Sequence, residues 1–161
     1  MPVAASNPFV RFYTFLAKMG LVIRDDPPRV IDMAGREWGE AVDGLVLSVR
    51  ELPREDAGSV TGISVVMKNA GASPRTLSVP AWIHYFEIEG VEPTPYGRSL
   101  LVSARTAKKA DLTIAAGGAI EAELPIGRIY NISAAGVYPV RVSCRLPDQS
   151  VLRSNRIEIR V

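Results

Sequence analysis

From Leu45 to the C-terminus the chain alternates apolar and polar side chains with a period of two, in short runs separated by Gly, Pro, Asn and Asp. That spacing places successive side chains on opposite faces of a pleated strand, so each run can bury one face and wet the other. In LVLSVREL, Leu45, Leu47 and Val49 fall on one face and Val46, Ser48 and Arg50 on the other. In GISVVMKN, Ile63, Val65 and Met67 share a face, and Asn69 with Gly71 supplies turn chemistry. AWIHYFEIEG sets Trp82, His84, Phe86 and Ile88 against Ile83, Tyr85, Glu87 and Glu89. Further strands are predicted at SLLVSA, LTIA, AIEAELPI, VYPVRVSCRL and RIEIRV. Eight short strands with frequent turn signals predict an all-β antiparallel sandwich.

Upstream, the composition changes. Residues 7–24, NPFVRFYTFLAKMGLVIR, are densely apolar, and the stretch from Asp25 to Gly44 reads as a linker. Pro27 and Pro28 separate the two, because proline lacks an amide hydrogen and biases its predecessor away from the helical basin. The predicted organisation is an apolar N-terminal arm over residues 1–24, helical or extended, a linker over 25–44, and a β-sandwich over 45–161.

In IAAGGAIEAELPIGRIYNISAAGVYPVRVSCRLPD, a glycine turn and an alternating strand are followed by a small-residue corner that leads through Gly136 and Tyr138 into a final hairpin. This resembles the bacterial immunoglobulin-like sandwich domains, over about residues 45–161. The resemblance implies a corner tyrosine at Tyr138, its hydroxyl bonded to backbone a few residues upstream, with Gly136 permitting the tight turn. It implies no activity, since such sandwiches host binding, structural and spacer roles alike.

Little in the chain points to catalysis. Cys144 is the single cysteine, so no intrachain disulfide is available; its strand face also holds Val140, Val142 and Leu146, which favours an inert buried thiol. His84 is the single histidine, and its face carries Trp82 and Phe86, which favours packing over acid–base work. Glu87, Glu89 and Glu92 offer scattered carboxylates with no Asp-rich loop for a hard cation. Gly117 and Gly118 lie between predicted strands and read as a hairpin turn, not a phosphate cradle. No cofactor-binding motif is present, and the expectation is a protein without cofactor or catalytic residues. Asn131, Ile132 and Ser133 match a glycosylation acceptor, but no secretory signal accompanies it.

Two groups of residues point to partners. Arg141, Arg145, Arg156 and Arg160 would project from one face if the last two strands pair, with only Glu158 opposing them. Such a stripe suits phosphate headgroups or an acidic protein surface, or it serves to keep an outer face soluble. Nucleic acid is disfavoured: the net charge is only +2, and the aromatics are committed to the core face.

The second group is the arm. On a helix, Arg11, Thr14 and Lys18 form a narrow stripe, while Phe9, Val10, Phe12, Tyr13, Phe15, Leu16 and Met19 cover most of the remaining circumference. Burial of such side chains yields about 1.5–3 kcal/mol each, provided a surface receives them. The receiver is the chain's own sandwich, another protein, or a membrane interface in which Arg11 and Lys18 reach anionic headgroups. The segment is too short and too charged to span a bilayer, which takes about 20 apolar residues. The functional expectation is a non-catalytic accessory or structural subunit, cytoplasmic or peripheral on the cytoplasmic face of a membrane, docked by this arm onto a larger protein assembly. The alternative is a ligand- or protease-binding module acting through loops such as GVEPTPYGRS, residues 90–99.

Overall fold

The computed structural model describes residues 31–54, 60–80, 85–103 and 108–161, and among these described residues nine strands and two helices follow one another. The strands are β1 (Leu45–Glu51), β2 (Ile63–Asn69), β3 (Arg75–Val79), β4 (Glu87–Glu89), β5 (Ala110–Ile114), β6 (Ala119–Leu124), β7 (Val137–Arg145), β8 (Val151–Arg153) and β9 (Ile157–Arg160). The helices are α1 (Pro95–Ser103) and the single turn α2 (Ile126–Ile129). All described pairing is antiparallel. One sheet has the order β1-β2-β6, a second is β3-β5, and a third is β4-β7-β8 with β9 also paired to β7. The domain is therefore predominantly β with several antiparallel sheets, the coarse form of the architecture expected from the alternation.

The inner faces are those that the period-two pattern selects. Leu45, Leu47 and Val49 of β1 meet Ile63, Val65 and Met67 of β2, and these pack with Val140, Val142 and Cys144 of β7 in one continuous core. Leu77 and Val79 of β3 and Leu112 and Ile114 of β5 close it from the second sheet. Strand β3 was not expected from the sequence; its short RTLSV run pairs in register with β5, and the hydroxyls of Thr76 and Thr113 bond across the pair at 2.8 Å.

The other face of β1-β2-β6 is also covered. Residues 31–38, part of the stretch expected to be a linker, lie across it, with Ile31, Met33 and Trp38 on Val66 and Ala119. Arg36 fixes this strap: its side chain is only 1% exposed, its Nη2 donates to Ser64 Oγ at 2.7 Å, and its Nε donates to the Asp32 carbonyl at 2.9 Å. Glu121 stands 4.0 Å from the same Nη2. Burial, with repulsion from Arg50, holds the guanidinium below its ordinary pKa. The covering strap explains why β2 is buried on both sides at Ser64 and Val66 as well as at its inner positions.

Strand β1 is an edge strand whose backbone is nevertheless paired. Val42 exchanges two bonds with Leu45, at 2.9 and 3.0 Å, and Gly39 N–H donates to Leu47 O at 2.9 Å. Farther along, the side chain of Asn155 takes over. Between the pairs Ser143↔Arg153 and Val140↔Ile157, three steps along β7 oppose four steps along β8 and β9. The extra residue makes a β-bulge at 154–156. Ser154 holds it, its N–H donating to Val142 O and its Oγ accepting from Val142 N–H, both at 2.9 Å. The bulge turns Asn155 across to Val49. Unpaired edges invite association with other chains, and that of β1 is closed by irregular segments.

Three local expectations are corrected. SLLVSA is not a strand: its residues Ser99 to Ser103 lie in α1. Thr94 caps that helix, its Oγ1 accepting from Gly97 N–H at 3.0 Å, and Pro95 occupies the first turn, where its missing N–H costs nothing. Gly117 and Gly118 do not close a hairpin, because β5 on one side pairs with β3 and β6 on the other pairs with β2. The turn is a crossing between sheets. Gly136 is not needed for backbone freedom either: it lies outside the left-handed region, and a Cβ there would meet only Tyr138 Cε2 at 3.9 Å. Its N–H and C=O instead bond Val161, extending the β7-β9 ladder.

Candidate functional site

The predicted docking residues Phe9, Val10, Arg11, Phe12, Tyr13, Phe15, Leu16, Lys18 and Met19 lie outside the described residues, as do Trp82 and His84. Among the described residues no helix is long and apolar enough to cross a membrane.

The basic residues fall on the outer face of the β4-β7-β8 sheet, opposite the core. By register Arg141 and Arg145 of β7 and Arg160 of β9, the last facing Val137, share that face. Arg156 sits in the bulge, exposed. The sequence places only Glu158 against these cations, and it does lie 3.4 Å from Arg160 Nη2. The structure adds Glu89. Strand β4 brings Glu89 opposite Arg141, where Oε2 accepts from Arg141 Nε at 2.6 Å, and Arg153 Nε reaches Oε1 at 3.0 Å. Partial burial works against the Glu89 carboxylate, but the hydrogen bonds from Arg141 and Arg153 prevail and hold it below the ordinary carboxylate range. Arg153 is invisible to an alternation argument, because the bulge shifts the register between β8 and β9.

Of the acidic group, Glu87 is exposed on β4 and Glu89 is engaged with arginines. Among the described residues no three His, Cys, Asp or Glu side chains gather in a manner that would hold a metal ion. Cys144 lies 3% exposed in the core, and burial pushes its thiol up to about 12, against the opposing influence of a hydrogen bond with Tyr85. A thiol so held has essentially no thiolate near neutral pH and is a poor nucleophile. Burial likewise raises the Tyr85 hydroxyl, helped by Cys144.

The corner around Tyr138 has the geometry that the resemblance implies: its hydroxyl donates to Ala134 O, four residues upstream, at 2.7 Å. Tyr130 makes a second backbone tie, its hydroxyl accepting from Ile88 N–H at 3.1 Å, and so fixes β4 against the segment that follows α2.

A cleft of about 560 Å³ opens beside Cys144 and Tyr85, within the range of roughly 300–1,000 Å³ that ligand sites occupy. One wall is the last turn of α1, with Leu101 and Val102; another is the end of β7, with Arg145 and Leu146; Lys109 and Glu87 stand on its margin. The loop of residues 90–99, the sequence's candidate for ligand binding, does not line it. From Pro95 onward the loop is the start of α1, and Thr94 ahead of it is held to α2 by its N–H donating to Ile129 O at 2.8 Å. The cleft lies at the other end of that helix. No local pattern announces it, because β3, β4, β7 and α1 meet there only in the folded chain.

Comparison of the chain with protein-family models, with curated proteins and with solved structures returned no match.

Proposed function

We propose that this chain is a non-catalytic accessory subunit: an immunoglobulin-like β-sandwich that docks onto a larger, membrane-associated protein assembly through the apolar segment of residues 7–24. The observation that carries the reading is that, among the described residues, the body covers most of its own apolar faces. The inner faces of the sheets meet in one core, and residues 31–38 cover the back of β1-β2-β6. The large apolar side chains exposed among the described residues, Val60, Tyr96, Val102, Val137 and Val161, are spread over separate elements. Ten large apolar side chains in eighteen residues need more receiving surface than such single positions supply. The finer fold assignment is supported by the Tyr138 corner, a device of immunoglobulin-like sandwiches. The absence of catalytic chemistry is supported by the protonated, buried Cys144.

The test uses the full chain with the double substitution F12D/L16D. Co-flotation with anionic vesicles and self-association in sedimentation are measured beside the thermal midpoint. A docking segment predicts a loss of partitioning or association of about tenfold or more with an unchanged midpoint. A midpoint lowered by several degrees with association unchanged would mean the segment packs on its own body, and the proposal would fall.

A further inference from the structure

The strap over the back of β1-β2-β6 is seated by side chains. Among the described residues no backbone–backbone hydrogen bond joins residues 31–38 to the sheet; the first is that of Gly39, whose N–H donates to Leu47 O at 2.9 Å. Gly39 is also wedged in place, since a Cβ there would stand 1.9 Å from Arg153 O. Ahead of that fixed point the strap rests on the contacts of Ile31, Met33 and Trp38 with Val66 and Ala119, on an exposed ion pair of Asp32 with Arg50 at 3.4 Å, and on Arg36. The exposed pair adds little. Arg36 is poorly matched to its seat. Nη2 donates to Ser64 Oγ and Nε to Asp32 O, but Nη1 is buried with no hydrogen-bond partner. Glu121 lies 4.0 Å from Nη2, beyond hydrogen-bond reach, and the side chain is 1% exposed. Ser48, on the same face of β1, has a buried Oγ that is likewise unpartnered. A buried charged donor left unpaired bears its full desolvation cost, and a carboxylate 4.0 Å away offsets only part of it.

We infer that residues 31–38 are a releasable cover, anchored at Gly39 and biased toward opening by Arg36, which exposes the back of β1-β2-β6 around Val66 and Ala119 while the rest of the fold stays closed. Lifting the strap returns Nη1 to water and breaks no strand pairing among the described residues, whereas exposing the inner face of the same sheet would open the main core. An arginine is not needed to cover an apolar face, because Ile31, Met33 and Trp38 already do so. What the guanidinium adds is a register, through Ser64 and Asp32, together with a penalty that an apolar side chain of similar length would not carry. That penalty sets the population of the open form. Segments held by few buried contacts open well below the free energy of global unfolding, and this one packs on a small cluster separate from the main core. The inference is independent of the role proposed for residues 7–24.

The first test uses the native full-length chain. Trypsin must draw the Arg36 side chain off the sheet before it can cut after it. Under native conditions the initial rate of cleavage between Arg36 and Glu37, followed by mass spectrometry, should exceed those after Arg50 in β1 and Lys68 in β2 by at least about tenfold. Cleavage at the three sites in step overturns the inference. A thiol beneath the strap gives the second measurement. In Ala119→Cys, or in Val66→Cys should the first not fold, the new thiol should react with a disulfide reagent at least about tenfold faster than Cys144 of the main core in the same chain. It should also react at least about tenfold more slowly than in the urea-denatured chain. A rate equal to that of Cys144 would mean that the strap leaves only with the whole fold, and a rate equal to that of the denatured chain would mean that it covers nothing; either overturns the inference. The added pair R36M/S64A removes the guanidinium together with the hydroxyl it would orphan. At an undiminished thermal midpoint it should slow the reporter thiol by about tenfold or more. An unchanged or faster rate would show that Arg36 holds the strap down, and the inference would fall.

Discussion

The carboxamide of Asn155 is paired with the peptide of Val49 as a neighbouring strand would be: Oδ1 accepts from Val49 N–H at 2.8 Å and Nδ2 donates to Val49 O at 3.1 Å. One side chain, separated from Val49 by 106 residues, thus closes the edge of β1 and ties the β1-β2-β6 sheet to the bulge between β8 and β9. No other residue type of that length offers a donor and an acceptor in the spacing of a peptide group.

Replacement of Asn155 by Ala should therefore cost more than a surface substitution. Both bonds are lost and a partly buried N–H and C=O are left to water, so a loss of about 2–4 kcal/mol is expected in equilibrium urea unfolding. A loss below about 0.5 kcal/mol would show that the β1 edge is satisfied without the bulge.

Two glycines should respond in opposite ways. A Cβ on Gly97 would stand 1.9 Å from Ile129 O, in the contact where α1 rests on α2, so Gly97→Ala should destabilise by about 2 kcal/mol or more. Gly136→Ala, whose added methyl meets nothing closer than 3.9 Å, should stay within about 0.5 kcal/mol of the native value. Thermal unfolding of the pair measures both.

Glu89 should contribute a stability term with a defined pH window. Its folded pKa lies below the ordinary 4.5, so the contribution is full above that value and is lost as the pH falls through the lower folded value. The thermal midpoint of Glu89→Gln should lie below the native one near neutral pH, and the two curves should converge on acidification. Parallel curves down to the acid limb would show that the arginine contacts carry no net linkage.

Cys144 provides the opposite limb. The thiol is raised from 9.0 to about 12 by burial, so the folded state keeps its proton where the unfolded chain loses it. Stability from this group is full below about pH 9 and declines as pH rises toward 12. Cys144→Ala should flatten the alkaline decline. In the native protein at pH 8 the thiol should react with a disulfide reagent at least about a hundredfold more slowly than in the denatured chain. Comparable rates would place the thiol in contact with solvent.

The period-two pattern revealed most strands and their inner faces because alternation is a local consequence of the pleat. Leu45, Leu47 and Val49 are buried as the spacing requires, as are Val140, Val142 and Cys144. SLLVSA shows the limit of the method: a short apolar run fits either period, and the arbiters were Thr94 and Pro95, a cap and a first-turn proline lying just ahead of it. Arg36 shows another limit. Nothing in GREWGE distinguishes a linker arginine from one that is 1% exposed, because its partners Ser64 and Glu121 lie on strands far along the chain.

The sequence by itself determined that the described part of residues 45–161 is predominantly antiparallel β structure, which side of each principal strand faces the core, and that no intrachain disulfide supports it. It also concentrated apolar surface in residues 7–24. Tertiary structure alone decided that β6 pairs with β2 and not with its neighbour β5, that Glu89 is clasped by Arg141 and Arg153, that residues 31–38 cover a sheet, and that a cleft opens beside Tyr85 and Cys144. The division has a physical cause: the face of a strand is set by neighbours two residues away, whereas its partner, register and bulges are set by groups that meet only once the whole core has closed.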